Sequence, residues 1–468
     1  MSLRRADLEL AGSLERPDGV GEAGGSACGD RVRLEVALAG DVVSEARFTA
    51  QGCTAALAAA AWCARRAQGA EFLDAARLSL ADCLAETGLA ADREPCAAVA
   101  LDALAEALGD ALPAARLPAD QNRVAVALSG GVDSAVALLR VRDAGDDPVG
   151  ITLRLWIDPE APSPERACCA PEAVRQARAT CRALGVPHVT IDGREAFRRT
   201  VVEPFVAAYG AGLTPNPCTT CNGEYRMEAL VAAADRLGAP TLATGHYAQL
   251  ATRGGRTLVA QAADEDKDQS YMLGSVPPAL LARLRFPLGR SHKAEIRAEA
   301  GAAGLAVAGA PESQDVCFLG GGALREFLGR EGVDLAPGDI VDEEGVVLGR
   351  HAGAAAFTPG QRRGLGVAAS SPLYVLRTEP ARNVVVAGPS ERLGRDVVEL
   401  REAVLHRPAD RAEVRLRNRA PAVGARIEPG EGAGALRLRL DERAYAVAAG
   451  QTAVLYDEGA VIGSGTIV

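Results

Sequence analysis

Residues Val124 to Leu139, VAVALSGGVDSAVALL, constrain this chain more than any other stretch. Val124 to Leu128 is a short, β-branched apolar run, the pattern of a buried strand. Ser129-Gly130-Gly131-Val132-Asp133-Ser134 follows at once, and Ala135 to Arg142 has the spacing of a helix with an apolar face. Strand, glycine turn and helix together aim backbone N–H groups and a helix N-terminus at a phosphate. Adjacent glycines reach conformations that a Cβ resists and let a ligand come close. Ser129 and Ser134 add hydroxyl donors, and Asp133 can hold a Mg²⁺ that neutralises phosphate charge. The Gly-Lys-Ser/Thr of a Walker loop is missing.

The loop resembles the SGGxDS signature of the PP-loop ATP pyrophosphatases. That resemblance implies cleavage of ATP between its α- and β-phosphates, adenylation of an oxygen and release of pyrophosphate. Downstream, Val149 to Trp156, His188 to Asp192 and Pro240 to Tyr247 read as strands. Pro171 to Leu184 and Ala196 to Tyr209 read as helices between them. Alternating strands and helices predict a parallel, Rossmann-like sheet with ligands at the strand C-terminal ends. In PP-loop enzymes, residues after the second strand pack on adenine and a later glycine approaches the nucleotide. By resemblance these are Leu153 and Gly245, beside Ser129, Gly130, Gly131, Val132, Asp133 and Ser134.

A length of 468 residues predicts three or four domains. With a net charge of -10, no global basic field advertises nucleic acid, so such a partner needs a local basic patch. The start, MSLRRADLEL, has no apolar signal core, and no run of about 18 apolar residues suggests a membrane span. The expectation is a soluble cytoplasmic protein with no membrane partner. Eleven cysteines in a reducing compartment point to buried, catalytic or metal-binding roles rather than disulfides.

Residues 1 to about 27 read as loop. Arg31 to Leu38 and Val42 to Thr49 read as a hairpin about Ala39-Gly40-Asp41. Ala55 to Arg66 and Pro95 to Leu108 read as helices. Cys28, Cys53 and Cys96 sit at transitions between these elements, and thiolates are favoured at helix N-termini. Ala27-Cys28-Gly29-Asp30, Phe48 to Ala55 and Pro95-Cys96-Ala97 resemble the iron–sulfur scaffold fold of IscU and the NifU N-terminal part. The resemblance implies that Cys28, Asp30, Cys53 and Cys96 hold iron–sulfur or zinc. Asp92-Arg93-Glu94-Pro95 departs from it: the family's chaperone-binding Leu-Pro-Pro-Val-Lys and its histidine before the last cysteine are replaced. Cys63 and Cys83 read as core. Leu112 to Asn122, rich in Pro and Ala, reads as a linker.

Thr214 to Asn222, TPNPCTTCN, is the second strong signal. Prolines stiffen this loop, and thiols at CxxC spacing can share a metal or work as a redox pair. A helix from about Asn222 to Leu237 would put its N-terminus beside Cys221. Cys317 stands alone in Pro311 to Phe318, and Cys168-Cys169 lie in a Pro-rich loop. These stretches, with Gly245-His246-Tyr247, Asp264 to Tyr271, Phe286 to Gly289 and Thr358 to Gly366, closely resemble the MnmA family of tRNA 2-thiouridylases. The resemblance covers about 122–468 and implies 2-thiolation of the wobble uridine of tRNA. Cys221 matches the nucleophile and Cys317 the persulfide carrier. Lys267, Asp268 and Gln269 match a tRNA-contacting segment, and Asn216, Pro217 and Cys218 the loop at the target base. Gln361-Arg362-Arg363 supplies local positive charge for phosphates.

Many members of that family carry Asp where this chain has Cys218. Two routes for sulfur follow. Cys218, Cys221 and Cys317 can hold a 4Fe-4S cluster with one open iron for exogenous sulfide. Alternatively, a persulfide on Cys317 donates sulfur and Cys221 closes a disulfide. The donor upstream would be a cysteine desulfurase or a relay protein. The whole is expected to comprise an α+β IscU-like domain (1–112), a linker (113–122) and an α/β PP-loop domain with a parallel sheet (123–318). A small β-rich tRNA-binding module (319–380) and a C-terminal β-barrel (381–468) complete it. Arg411, Arg415, Arg417 and Arg419 alternate, as if lining one strand face. Two other classes stay open: a different PP-loop thiolase or synthetase, and an iron–sulfur scaffold with an inactive synthetase domain.

Overall fold

The computed structural model describes residues 9–24, 29–163, 170–310 and 316–468. The N-terminal domain is an antiparallel sheet of β1 (Gly19–Gly24), β2 (Arg31–Ala39) and β3 (Val42–Gln51) in that order. It is backed by α1 (Thr54–Ala67) and α2 (Glu94–Ala111), with Phe72–Arg77 and Leu80–Thr87 as shorter helices between them. β1 corrects the expectation of loop before residue 27. Its glycines, which read as loop formers, serve packing instead. A Cβ on Gly19 would stand 2.1 Å from the Ala107 carbonyl oxygen, and one on Gly21 2.1 Å from that of Ala103. The strand is glycine because the α2 backbone lies against it.

The second domain has a wholly parallel sheet: β4 (Arg123–Ala127), β5 (Asp147–Arg154), β6 (His188–Asp192), β7 (Thr241–Thr244) and a two-residue β10 (Leu284–Arg285). Their order across the sheet is β10-β7-β4-β5-β6. The chain starts at the central β4, builds outward to β6, then returns to the other side of β4. The crevice where such a sheet reverses is where open α/β sheets hold ligands. α3 (Val132–Asp143) follows β4 and α4 (Pro171–Ala183) precedes β6.

β8 (Gln249–Arg253) and β9 (Arg256–Ala260) form a hairpin that leaves this domain and joins the C-terminal sheet through Ala260 and Ala460. The middle module is a sheet of β11 (Gly338–Val341), β12 (Val347–His351), β13 (Tyr374–Glu379) and β14 (Val384–Gly388), ordered β12-β11-β14-β13. β14 carries that module past the expected boundary at residue 380. Beyond it come β15 (Arg395–Leu405), β16 (Arg411–Arg415), β17 (Val423–Pro429), β18 (Leu436–Ala444), β19 (Thr452–Asp457) and β20 (Ala460–Ile467). β15 pairs with both β18 and β20, so these six strands close into a barrel and hide their edges. Arg411 and Arg415 share β16, whereas Arg417 and Arg419 lie past its end.

The segment expected as a linker is stitched to both neighbours. Arg116 N donates to Gly40 O of the first domain, while Leu117 N and Asp120 N donate to Arg236 O and Gly238 O of the second. Ala115 within it is fully buried. Among the described residues no helix is long and apolar enough to cross a membrane.

Candidate functional site

The glycine turn sits at the reversal point, at the C-terminal end of β4. Gly130 has φ +74, and a Cβ there would fall 2.4 Å from the Ala173 carbonyl oxygen, so only glycine fits without displacing α4. Gly131 caps α3. Ser134 Oγ accepts from Ser129 N at 3.2 Å and donates to Gly131 O at 3.0 Å, which braces the turn from inside. Val132, within the turn, and Leu153, at the end of β5, are both buried. Gly245, just past β7, packs so close that a Cβ would lie 2.8 Å from Ser134 N. The two glycine turns thus lean on one another.

Asp133 is the carboxylate of this loop, in the first turn of α3. Lys293 Nζ reaches both of its oxygens at 2.7 Å, and the Tyr247 hydroxyl donates to Oδ1 at 2.8 Å. Neither partner was assigned from sequence. Tyr247 stood in a recognised motif without a role. Lys293 lies 160 residues from Asp133, and no spacing connects them. His246 is held as the neutral imidazole, because burial lowers its pKa to about 3; its Nδ1 is 2.8 Å from Thr244 Oγ1.

The thiol loop folds differently from expectation. The helix that carries it begins at Pro217, not after Cys221, and runs on through 236. Asn216 caps it: its side-chain oxygen accepts from Cys218 N and Thr219 N. Cys218 therefore occupies the helix N-terminus, and Cys221 opens a π-helical turn, Cys221–Arg226, one turn further on. Such widened turns recur at functional sites. Cys221 is buried, and Cys218 and Cys317 are half-buried.

Two chains of contacts join this helix to its surroundings. In one, Asn222 Nδ2 donates to Met272 O at 3.1 Å, Met272 N donates to Gln269 O, and Gln269 Oε1 accepts from Tyr247 N at 2.9 Å. Tyr247 then reaches Asp133, so a short relay runs from thiol helix to glycine turn. In the other, Phe318, next to Cys317, packs edge-on to Phe197 with ring centres 6.0 Å apart. Phe197 lies 6.0 Å from Tyr225, one turn beyond Cys221. The two thiol-bearing segments thus grip one aromatic cluster. Pro311 to Asp315 before Cys317, and Cys168-Cys169, lie outside the described residues.

In the N-terminal domain, Asp30, Cys53 and Cys96 bring one ligand atom each within 4.8 Å of the others. Among the described residues this is the group of at least three such side chains that meets that distance, and Cys218, Cys221 and Cys317 do not form another. Asp30 is fully buried; it accepts from Cys53 N at 2.7 Å and from the Cys53 thiol at 3.3 Å. Gly52 makes this possible, since a Cβ there would stand 2.0 Å from Asp30 Oδ1. Cys53 caps α1 and Cys96 lies in the first turn of α2. Burial, then contact with Asp30 and Cys53, pushes the Cys96 thiol up to about 12. A buried carboxylate beside two thiols is a donor set that a zinc or iron ion would take up as the thiols give up their protons. Cys28, the fourth expected ligand, lies outside the described residues.

Family models match the chain almost end to end. They are described as a NifU-like N-terminal domain (9–112), a tRNA methyl transferase HUP domain (122–321), its PRC-barrel domain (325–389) and an aminomethyltransferase β-barrel domain (401–467). The bifunctional protein NifU/MnmA of Rubrobacter xylanophilus is 43% identical, over 98% of this chain and 95% of its own. This chain belongs to the NifU/MnmA family. The tRNA-specific 2-thiouridylase MnmA of Roseiflexus sp. is 42% identical over 74% of this chain and 99% of its own. That of Acidithiobacillus ferrooxidans is 44% identical over 73% and 97%.

In this NifU/MnmA chain the residues expected to face tRNA divide. Arg362 and Arg363 are exposed, and Lys267, Asn216 and Pro217 are half-exposed. Asp268 turns inward instead. Its side chain is 2% exposed and pairs with Arg415 of the barrel at 2.9 Å. It also accepts from Ala262 N and from Ser270. Buried between two domains, it holds them in register rather than facing a ligand. Thr214 N to Ala449 O, and Thr219 Oγ1 to Thr452 Oγ1 at 2.7 Å, bring the barrel against the thiol loop as well.

Proposed function

We propose that this chain catalyses ATP-dependent 2-thiolation of the wobble uridine of tRNA, a sulfurtransferase reaction. One observation carries the reading: the relay Asp133–Tyr247–Gln269–Met272–Asn222 couples the glycine turn to the helix of Cys221. Uridine C2 carries an oxygen that leaves poorly. The glycine turn (Ser129, Gly130, Gly131, Val132, Asp133, Ser134), with Leu153 and Gly245, binds ATP. The C2 oxygen attacks the α-phosphorus, the bond from that phosphorus to the bridging oxygen breaks, and pyrophosphate leaves. Asp133, a half-exposed carboxylate at a helix N-terminus, fits a Mg²⁺, which would neutralise phosphate charge.

Sulfur follows. A Cys317 persulfide attacks C2 through its outer sulfur, and AMP departs with the original oxygen. Cys221 thiolate then attacks the Cys317 sulfur; the S–S bond to the base breaks, its electron pair stays on the base sulfur, and a Cys221–Cys317 disulfide forms. A dithiol reductant resets the pair, and a cysteine desulfurase or relay protein reloads Cys317. The base has to leave its stack to reach this pocket. Lys267, Gln269, Arg362 and Arg363 contact tRNA, and Asn216, Pro217 and Cys218 meet the target base. Mass analysis of tRNA nucleosides after incubation with ATP and a sulfur source tests this: 2-thiouridine is expected, and its absence with an active sulfur donor rejects the reading.

A second reading has its own support in the i, i+3 placement of Cys218 and Cys221 on one helix. With Cys317 they would hold a 4Fe-4S cluster that supplies sulfide in place of the persulfide. Iron and sulfide analysis after anaerobic purification separates the two, since a colourless, fully active enzyme excludes the cluster. In the N-terminal domain, Asp30, Cys53 and Cys96, with Cys28, would hold zinc or iron–sulfur.

A further inference from the structure

The ammonium of Lys293 sits where a triphosphate is needed, yet nothing in the glycine-turn motif points to it. Lys293 is the first residue of α5 (Lys293–Ala302), whose His292 cap is closed by a reciprocal hydrogen bond with Glu295. Its backbone N–H donates to Asp264 Oδ2 at 2.9 Å, so its start is fixed from outside the helix. From there the side chain spans to Asp133, bonding both carboxylate oxygens at 2.7 Å, with Nζ 5.7 Å from the centre of the Tyr247 ring. The side chain is 12% exposed and that of Asp133 is 34% exposed.

Two helix N-termini, those of α3 and α5, therefore meet across one ion pair. Both helices are long enough to present a positive end to an anion. Asp264 and Glu295 engage the backbone at the start of α5, and the Asp133 carboxylate bonds the Lys293 ammonium itself. A triphosphate brings several negative charges to the same place. We propose that Lys293 is a substrate-binding residue that exchanges its Asp133 contact for the β- and γ-phosphates of ATP and holds the departing pyrophosphate. This inference rests on the proposed adenylation reaction and adds a ligand to it from an element 160 residues away in sequence. It also gives the resting ion pair a use. Asp133 is oriented and partnered until ATP arrives, and the lysine that guarded it becomes the counter-charge for the leaving group. Tyr247 stays on Oδ1 and keeps the carboxylate aimed while the lysine moves.

Calorimetric titration of the full-length protein with Mg-ATP, pyrophosphate and AMP, in wild type, Lys293→Met and Lys293→Arg, tests it. A charge-assisted hydrogen bond is worth about 1.5–3 kcal/mol, which is roughly ten- to a hundredfold in affinity. Lys293→Met is expected to lose about that much for ATP and pyrophosphate while binding AMP within about twofold of wild type. Lys293→Arg is expected to recover part of the loss. Equal ATP affinity in Lys293→Met and wild type overturns the inference. A parallel loss of AMP binding also overturns it, because the lysine would then only be shaping the pocket through Asp133. Wild type that binds no ATP at all rejects the adenylation reading itself, which keeps the two failures apart.

Discussion

At the scale of single residues, the proposed reaction divides the site into groups needed before sulfur arrives and groups needed after. Asp133→Asn removes the charge beside the glycine turn, and pyrophosphate release with tRNA and ATP is expected to fall about a hundredfold or more. Cys221→Ser leaves that turn untouched, so it should release pyrophosphate in a single turnover yet form no 2-thiouridine. Pyrophosphate release abolished in Cys221→Ser would show that the thiol acts before adenylation. The N-terminal cluster gives a separate test. With Cys96 pushed up to about 12, a metal has to displace its proton, so zinc affinity of the wild-type protein should rise with pH through the neutral range. Gly52→Ala drives a methyl into Asp30, and zinc binding should drop. Unchanged zinc binding in Gly52→Ala would remove Asp30 from the ligand set.

At the scale of elements, the motif-bearing turns were legible because their chemistry is local. A glycine pair after a strand, or cysteines three apart after prolines, announce themselves within one stretch. What stayed hidden depends on neighbours far along the chain. β1 reads as loop until α2 is seen pressed on Gly19 and Gly21. The start of the thiol helix is hidden because the cap Asn216 and the prolines at 215 and 217 look like loop, although proline suits a helix's first position. Lys293 is invisible for the same reason. The turn after β7 also carries a pH dependence. His246 refuses a proton down to about 3, whereas an unfolded histidine takes one near 6.5. The unfolded state thus binds more protons between these values, and stability falls as pH drops through that window. The slope from this one group is at most about 1.4 kcal/mol per pH unit. His188, buried beside Thr152, acts in the same direction. The drop in Tm from pH 7 to pH 5 should be smaller in His246→Gln than in wild type; equal drops would mean that His246 is protonated in the native protein.

At the scale of the whole molecule, the question is whether two fused domains behave as one. The sequence reads as two bodies on a Pro/Ala tether, and composition cannot reveal how the tether packs. In the structure α2 lies along β6, the edge strand of the parallel sheet, and Gly109 touches it so closely that a Cβ would stand 1.8 Å from the Thr190 carbonyl oxygen. Arg178 of α4, 5% exposed at its side chain, pairs with Asp102, and Arg154 of β5 reaches Glu106 at 3.5 Å. Burial raises the Glu106 carboxyl, so that pair is held partly out of water. A covered sheet edge, a buried ion pair and a stitched tether are features of one cooperative unit rather than of domains on a leash. Differential scanning calorimetry of the full chain should therefore give a single unfolding transition. Gly109→Val forces side-chain volume into a backbone contact, where overpacking costs about 1–3 kcal/mol. The cost falls on docking alone, so the transition should split, with the second domain melting at lower temperature once its β6 edge is exposed. Asp102→Asn, which weakens the same interface without adding bulk, should move the profile in the same direction by less. If wild type already melts in two independent steps, or Gly109→Val leaves one undivided peak, the domains are tethered rather than joined, and the cluster of Asp30, Cys53 and Cys96 is free to move relative to Cys221 and Cys317.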